Sequence, residues 1–319
     1  MISKNVFKKA DAIIMENDSV RVTILPEHGG KIVSFYDKIK NFESIFQNKE
    51  DEYRNPALHD NFEDYDASGF DDAFPSINPE YIKTEDGVIY YPDHGEIWQL
   101  IFDYYIENNT LELNADSKIL PYRFKKSITL AENGIIIDYN IKNTGNFSFP
   151  CFWTMHCLFN CREDMELLFP PETKEVLVVE NSSHLGDVGE VHLFPETYSK
   201  QGELYLLDRV YPAASKKYEK YYVNGKVEKG ALGIKYPSEN VRLSITYDVK
   251  KLPYLGFWVT EGGFRGDYNC ALEPSNGFYD SISIAERNNA LIRLEPGNTM
   301  EFSIRLSFEK EYENNLTLL

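Results

Sequence analysis

Apolar and polar residues alternate with a period of two along most of the chain. Val20, Val22 and Ile24 alternate with Arg21 and Thr23, and Ile135, Ile137, Tyr139 and Ile141 recur at every second position. The same rhythm runs through Val241–Tyr247 and Phe302–Phe308. A period of two turns one set of side chains toward a core and the other toward water, so these segments are predicted to be half-buried strands. Turn chemistry separates them at Glu132-Asn133-Gly134, Asn143-Thr144-Gly145-Asn146, Asn224-Gly225 and Glu295-Pro296-Gly297-Asn298. Hairpins are the expected connection at these points. No long segment carries an apolar stripe at helical spacing; the best candidate, 213–222, is short and rich in Lys and Tyr. Strands that follow one another without helices form antiparallel sheets packed face to face. The expected fold is an all-β sandwich with many more strands than an immunoglobulin domain. No Pro/Ser/Gly-rich linker interrupts it, so one domain over residues 1–319 is expected.

Two segments break the alternation. Residues 47–80 are acidic and carry three prolines, yet Phe62, Tyr65, Phe70 and Phe74 predict an ordered segment docked on the sandwich. A second irregular stretch, from Pro170 to about Tyr211, is expected to loop over one sandwich face. Of the 319 residues, 42% are hydrophobic and 14% aromatic, which excludes a disordered chain. Lys and Arg number 33 against 51 Asp and Glu, a net charge of −18. Nucleic acid is therefore an unfavourable partner, because phosphate binding draws on Lys and Arg. No stretch approaches the ~20 apolar residues that cross a bilayer, and the N-terminus lacks a signal-like apolar run, so a cytoplasmic protein with no membrane partner is expected.

Cys151, Cys157 and Cys161 form a C-x5-C-x3-C run beside His156, which raises the question of a metal site. On a single strand over 151–161 the first two would lie roughly 20 Å apart at ~3.3 Å per residue, too far to share an ion. These cysteines and Cys270 read as buried free thiols, and no metal is expected. Phosphate-binding glycine loops, G-x-S-x-G and H-E-x-x-H are all absent. Three polar islands remain. In Tyr91-Pro92-Asp93-His94-Gly95-Glu96-Ile97-Trp98, His94 stands between Pro and Gly at the mouth of a strand expected through Leu100 and Phe102; it is either a solvated turn residue or a placed donor. In Phe152–Phe159, His156 occupies the most apolar strand, as a satisfied core residue or as a rigid imidazole lining a pocket. In Ala271–Gly277, Glu273 ends a short strand stopped by Pro274. If that strand is interior, burial raises its pKa and makes it a usable base. The acidic cluster Glu63, Asp64, Asp66, Asp71 and Asp72 lacks the spacing of a calcium loop and reads as a solvated loop. Asp71-Asp72 stands apart, because a docked Phe74 and Pro75 follow it.

At these islands the sequence resembles the galactose mutarotase-like superfamily, specifically the aldose 1-epimerase-related proteins. The resemblance is carried in order by Val22–Ile32 with Gly29-Gly30, Asp72-Ala73-Phe74-Pro75, Asp93–Trp98, Trp153–Phe159, Leu255-Gly256-Phe257-Trp258, Leu272-Glu273-Pro274 and Leu294-Glu295-Pro296-Gly297. It implies a β-supersandwich whose concave face binds a monosaccharide or small carbohydrate, with no cofactor. It also implies roles: Glu273 as the base on the anomeric hydroxyl, His156 as the acid at the ring oxygen, and His94 as an orienting donor. Asp72 and Trp258 are the further expected substrate contacts. The chain departs from the family in lacking the Arg that precedes the first His, and Asp208 is the candidate for the second sugar-binding carboxylate. No basic cluster for a phosphate is visible, Arg265 alone being insufficient, so an unphosphorylated aldose is the expected substrate of a monomer or homodimer. Two alternatives stay open: a non-catalytic carbohydrate-binding protein of the same fold, and a glycoside hydrolase or lyase that pairs Asp72 with Glu273.

Overall fold

The computed structural model describes residues 1–84 and 87–309; of the domain expected over 1–319, residues 85–86 and 310–319 lie outside the described residues. Two large antiparallel sheets dominate, one of 13 strands and one of 8 among the described residues. Val20–Leu25, Gly134–Asn143, Val241–Tyr247 and Thr299–Phe308 are strands, as the alternation predicts. In Thr299–Phe308 buried and exposed residues alternate along nearly the whole strand, because the smaller sheet packs one face inward and wets the other.

The turn signals behave differently. Glu132-Asn133-Gly134 closes a hairpin between Tyr122–Ala131 and Gly134–Asn143. At Asn224-Gly225 the chain instead leaves Lys217–Val223 of the larger sheet for Ala231–Tyr236 of the smaller. The turns at 143–146 and 295–298 lead into and out of a separate ribbon formed by Phe149–Cys151 and Ile292–Leu294. None of those three turns pairs the strands it joins. The segment 213–222 is mostly the strand Lys217–Val223; the α-helix among the described residues is Ile282–Arg287. The Cys151–Cys161 segment is three short strands, and its cysteines are buried and free. The expected loop 170–211 contains four short strands, of which Glu175–Val178 and Val191–Leu193 extend the larger sheet. No helix among the described residues is long and apolar enough to cross a membrane.

Alternation vanishes at the centre of the larger sheet. Phe70–Ala73, Thr154–Cys157, Tyr268–Ser275 and Tyr254–Glu261 lie side by side and are almost wholly buried. One face packs on the smaller sheet. The other lies under the 47–69 segment and the 92–99 turn, so its polar side chains are buried as well. Tyr268–Ser275 runs through Pro274, which faces Leu255, rather than stopping there.

Between the sheets sits an ion pair. Asp72 is inaccessible to solvent, receives Lys126 Nζ at 2.7 Å on one carboxylate oxygen and accepts Trp153 Nε1–H at 3.1 Å on the other. Lys126 comes from Tyr122–Ala131 of the opposite sheet, so the pair bridges the sandwich. On the strand Lys217–Val223, Glu219 is also buried, with His184 Nδ1 3.7 Å from one of its carboxylate oxygens. Burial pushes its carboxyl up from an ordinary 4.5 to about 7, against a hydrogen bond from Ser182 and with the help of Glu261.

Removing one member of a buried pair strands the other charge, so Lys126→Met is expected to cost about 3–5 kcal/mol in urea unfolding. A cost below about 1 kcal/mol would show that the pair does not hold the sheets. Because folded Glu219 binds its proton more tightly than an unfolded carboxyl does, it lowers stability progressively as pH rises from about 4.5 through 7. Glu219→Gln should therefore raise Tm at pH 8 and change it less at pH 5.

Candidate functional site

The covered face of the larger sheet encloses a cavity of about 230 Å³. Strand register decides which side chains enter it. Glu273 lies opposite Gly256, and His156 opposite Asp71, so these positions share the covered face; their neighbours Leu272 and Met155 point into the sandwich core. Asp72 therefore faces away from the cavity and is not among the residues lining it. The expected substrate contact at Asp72 is corrected to a structural role, because one step along a strand reverses the side chain. Asp71 takes the covered face, where Lys31 holds it at 2.9 Å and Asp66 at 2.6 Å. The cluster read as a solvated loop is thus split: Glu63 and Asp64 are exposed, whereas Asp71 and Asp72 are buried and paired. Asp208 also lies outside the lining, in an ion pair with Arg209 at 3.3 Å.

His94 arrives from a turn. It has φ 55°, and Gly95 follows with φ 71°. A Cβ on Gly95 would come within 2.0 Å of the Phe74 carbonyl oxygen, so the position requires glycine for both conformation and space. The backbone N–H of His94 donates to Ile77 at 2.6 Å, and that of Glu96 to Phe74 at 3.0 Å. Buried Glu96 ties the turn to the other sheet by accepting the Tyr122 hydroxyl at 2.7 Å and the Lys118 N–H at 3.0 Å. Ile97–Gln99 is then a single 3-10 turn, so the strand expected through Leu100 and Phe102 begins only at Asp103.

Asp93 organises the wall. Its carboxylate holds His94 Nδ1 at 2.8 Å and accepts the backbone N–H of Phe62 at 2.8 Å. Burial pushes the Asp93 carboxyl up, but His94 and the Phe62 N–H outweigh it and hold the group below its ordinary value. Phe62 stacks on His94 at 4.3 Å between ring centroids and meets His156 edge-on at 5.2 Å. The two imidazoles are 4.7 Å apart, edge to face. The aromatic docking expected for the acidic segment is therefore present at Phe62.

Four sequence candidates converge on the cavity: His94, His156, Trp258 and Glu273. Glu273 is inaccessible to solvent, and neither oxygen has a hydrogen-bonding partner. Burial pushes its carboxyl up, Lys220 pulls it down and Asp280 pushes it up again, for a balance at about 7. Burial also holds the His156 imidazole well below its usual range, helped by His94, Lys220 and Lys31, so it is neutral at pH 7. Trp258 is half-buried and stacks on Tyr218 at 5.7 Å.

Lys220, Asp280 and Asn269 also line the cavity with no mark in the sequence reading, as do Phe62 and Asp93, which that reading names only as a docking aromatic and as part of the His94 island. In Lys217–Val223, Lys220 shares a face with Tyr218 and Tyr222, but Lys217 and Glu219 on the same strand leave nothing in the local sequence to mark Lys220 as buried. Arg265 spends its guanidinium on the backbone carbonyls of Glu63 and Tyr65, at 2.6 and 3.0 Å. No group of three or more His, Cys, Asp or Glu side chains among the described residues is placed to hold a metal ion.

Two family models match the chain. One, described as a domain of unknown function (DUF5107), matches residues 1–197; the other, a domain of unknown function (DUF4432), matches residues 199–308. The matched segments are not separate sheets, since Thr154–Cys157 from the first lies beside Tyr268–Ser275 from the second. No curated protein matches the chain. Solved structures that resemble it include a galactose mutarotase related enzyme from Lactobacillus acidophilus, at TM-score 0.68 and 15% identity, covering 95% of this chain and 98% of the other. A galactose mutarotase-like protein from Lactobacillus casei ATCC 334 aligns at 0.68 and 17%, covering 93% and 100%. One from Clostridium acetobutylicum aligns at 0.66 and 16%, covering 97% and 98%. The fold is that of the galactose mutarotase-like superfamily, all-β, as the sequence resemblance implies.

Packing around the carboxylate is tight. A Cβ on Gly256 would meet Glu273 Oε2 and the Tyr222 ring, each at 2.9 Å. Gly256→Ala is expected to cost about 1–3 kcal/mol in denaturant unfolding although it adds one methyl group to a strand. An unchanged midpoint would place Glu273 elsewhere.

Proposed function

The chain belongs to the DUF5107 family, and we propose that its covered cavity binds an unphosphorylated aldose and interconverts the α and β anomers by acid–base ring opening. The observation that carries this reading is Glu273: a buried carboxylate with no hydrogen-bonding partner, in one cavity with two imidazoles. A carboxyl balanced near pH 7 can take a proton and return it within one turnover.

In the proposed reaction Glu273 removes the proton from the anomeric hydroxyl. The C1–O5 bond breaks as C1 becomes an aldehyde, and O5 takes the ring N–H proton of the neutral His156 imidazole, which acts as the electrophile without first becoming an imidazolium. Rotation about C1–C2 presents the other carbonyl face. O5 then attacks C1 and gives its proton back to His156, while Glu273 returns its own to the new hydroxyl. His94, held by Asp93 and stacked on Phe62, orients the ring and supports His156 from 4.7 Å. Trp258 offers a face for the apolar side of the sugar.

The cavity's charge supports a neutral substrate. Glu63, Asp93, Glu180, Asp267, Glu273 and Asp280 line it with one lysine, and Asp280 already holds that lysine. A sugar phosphate or uronate would add negative charge to this wall. The hydrolase alternative drew on Asp72 as the second carboxylate, and Asp72 faces the sandwich interior instead. A carbohydrate-binding protein without activity is separated from an isomerase by the exchange assay below.

The test is the approach of fresh α-glucose and α-galactose to anomeric equilibrium, followed by polarimetry or saturation-transfer NMR. Glu273→Gln should lower the protein-catalysed rate by about 10²–10⁴-fold with the fold intact. A variant that exchanges at the wild-type rate would remove Glu273 from the mechanism. Because the base acts as the anion, the wild-type rate should climb as pH rises through about 7 and then level. Sugar binding without acceleration over a panel of aldoses would favour the binding protein.

A further inference from the structure

We propose that Lys220 is a positioning residue, the counter-ion that holds the Glu273 carboxylate as an anion aimed into the cavity, and that Asp280 sets how much of the lysine's charge Glu273 feels. This inference rests on the acid–base reading of the same site and assigns it a third charged group.

Lys220 projects from Lys217–Val223 onto the covered face, opposite Trp258. Its side chain is 9% exposed and its Nζ lies 3.1 Å from Asp280 Oδ2 and 3.8 Å from Glu273 Oε2. The shorter contact is the ion pair; the longer one leaves the Glu273 oxygens free for a ligand. Asp280 is fixed from two sides. Its Oδ1 accepts the Tyr222 hydroxyl at 2.8 Å, and its backbone carbonyl accepts the N–H groups of Asn78 and Ile77 at 2.8 and 3.2 Å. Gly256, between the strands that carry Lys220 and Glu273, supplies no side chain to separate them.

Glu273 is faced by Lys220 and Tyr222 from one strand, Asp280 from the segment after its own strand, His156 from Thr154–Cys157 and His94 from the 92–96 turn; Glu180 lies beyond Lys220. Lys220 carries the fixed positive charge in this set. Burial works against its charge, and Asp280 and Glu273 more than restore it, so it is an ammonium rather than a nucleophilic amine. A charge within about 4–6 Å moves a carboxyl by roughly one to three pH units. Lys220 and Asp280 act on Glu273 with opposite signs.

The sign difference makes the test. The full chain, 13C-labelled at side-chain carboxyls, is titrated by NMR, with the Glu273 signal assigned by its absence in Glu273→Gln. In Lys220→Met the Glu273 midpoint should move up by about one pH unit or more; in Asp280→Asn it should move down. Circular dichroism and a cooperative unfolding transition establish that each variant is folded. If either fails to fold, the other, with Lys220→Arg expected to keep the midpoint near wild type, still decides the matter. A midpoint unmoved in both variants, or moved in the same direction, would overturn the proposal. Exchange rates supply a second readout: a one-unit rise lowers the Lys220→Met rate about fivefold at pH 7 and leaves it near wild type by about pH 9. A merely structural role would lower the rate at every pH. The titration needs no turnover, so a protein that proves inactive on aldoses would sink the functional reading while the midpoints still report on Lys220.

Discussion

Moving a carboxylate from water into a packed sheet costs several kcal/mol unless a cation travels with it. That constraint governs the centre of this molecule, where strands are covered on both faces and water cannot satisfy their polar groups. Asp72 is met by Lys126 from the opposite sheet, Asp71 by Lys31 from the neighbouring strand and Asp280 by Lys220. Glu273 has no cation to itself: the nearest is 3.8 Å away and already engaged by another carboxylate. Such shared compensation leaves the carboxyl able both to hold and to give up a proton near neutral pH. The same penalty that forces pairing elsewhere prepares Glu273 for proton transfer.

The covering layer creates this environment. Without the 47–69 segment and the 92–99 turn, the second face of the larger sheet would be wet and its carboxylates ordinary. The turn is secured from both sides, by Gly95 pressed against Phe74 and by Glu96 bonded to Tyr122 of the smaller sheet. His94 thus comes from an irregular backbone but is positioned nearly as firmly as His156, which a strand holds. Asp93 extends the order outward by gripping the Phe62 N–H, so one acidic residue fixes both the imidazole and the ring stacked on it.

The departures from the sequence reading have a common origin. Turn residues mark where a strand ends, not which strand it pairs with: after Asn224-Gly225 the chain passes into the other sheet, where Ala231–Tyr236 pairs with Val241–Tyr247. The Asp71-Asp72 pair is legible in the sequence as special, but Asp71 and not Asp72 takes the covered face. Two adjacent strand residues face opposite ways, and only register against Thr154–Cys157 says which is which. Lys220 and Asp280 are not legible as a pair in the sequence, because 60 positions of chain separate them and nothing local marks either as buried.

From the sequence alone come the strands, since a period of two is a local consequence of one wet face and one dry face. So do the all-β class and, through their order along the chain, the candidates His94, His156 and Glu273. Tertiary structure decided which strands lie together, which of Asp71 and Asp72 enters the cavity, and which cations stand beside which carboxylates. Those are distances between segments remote in the chain, and the electrostatics of a buried group depends on distances and on exclusion from water rather than on its neighbours in sequence.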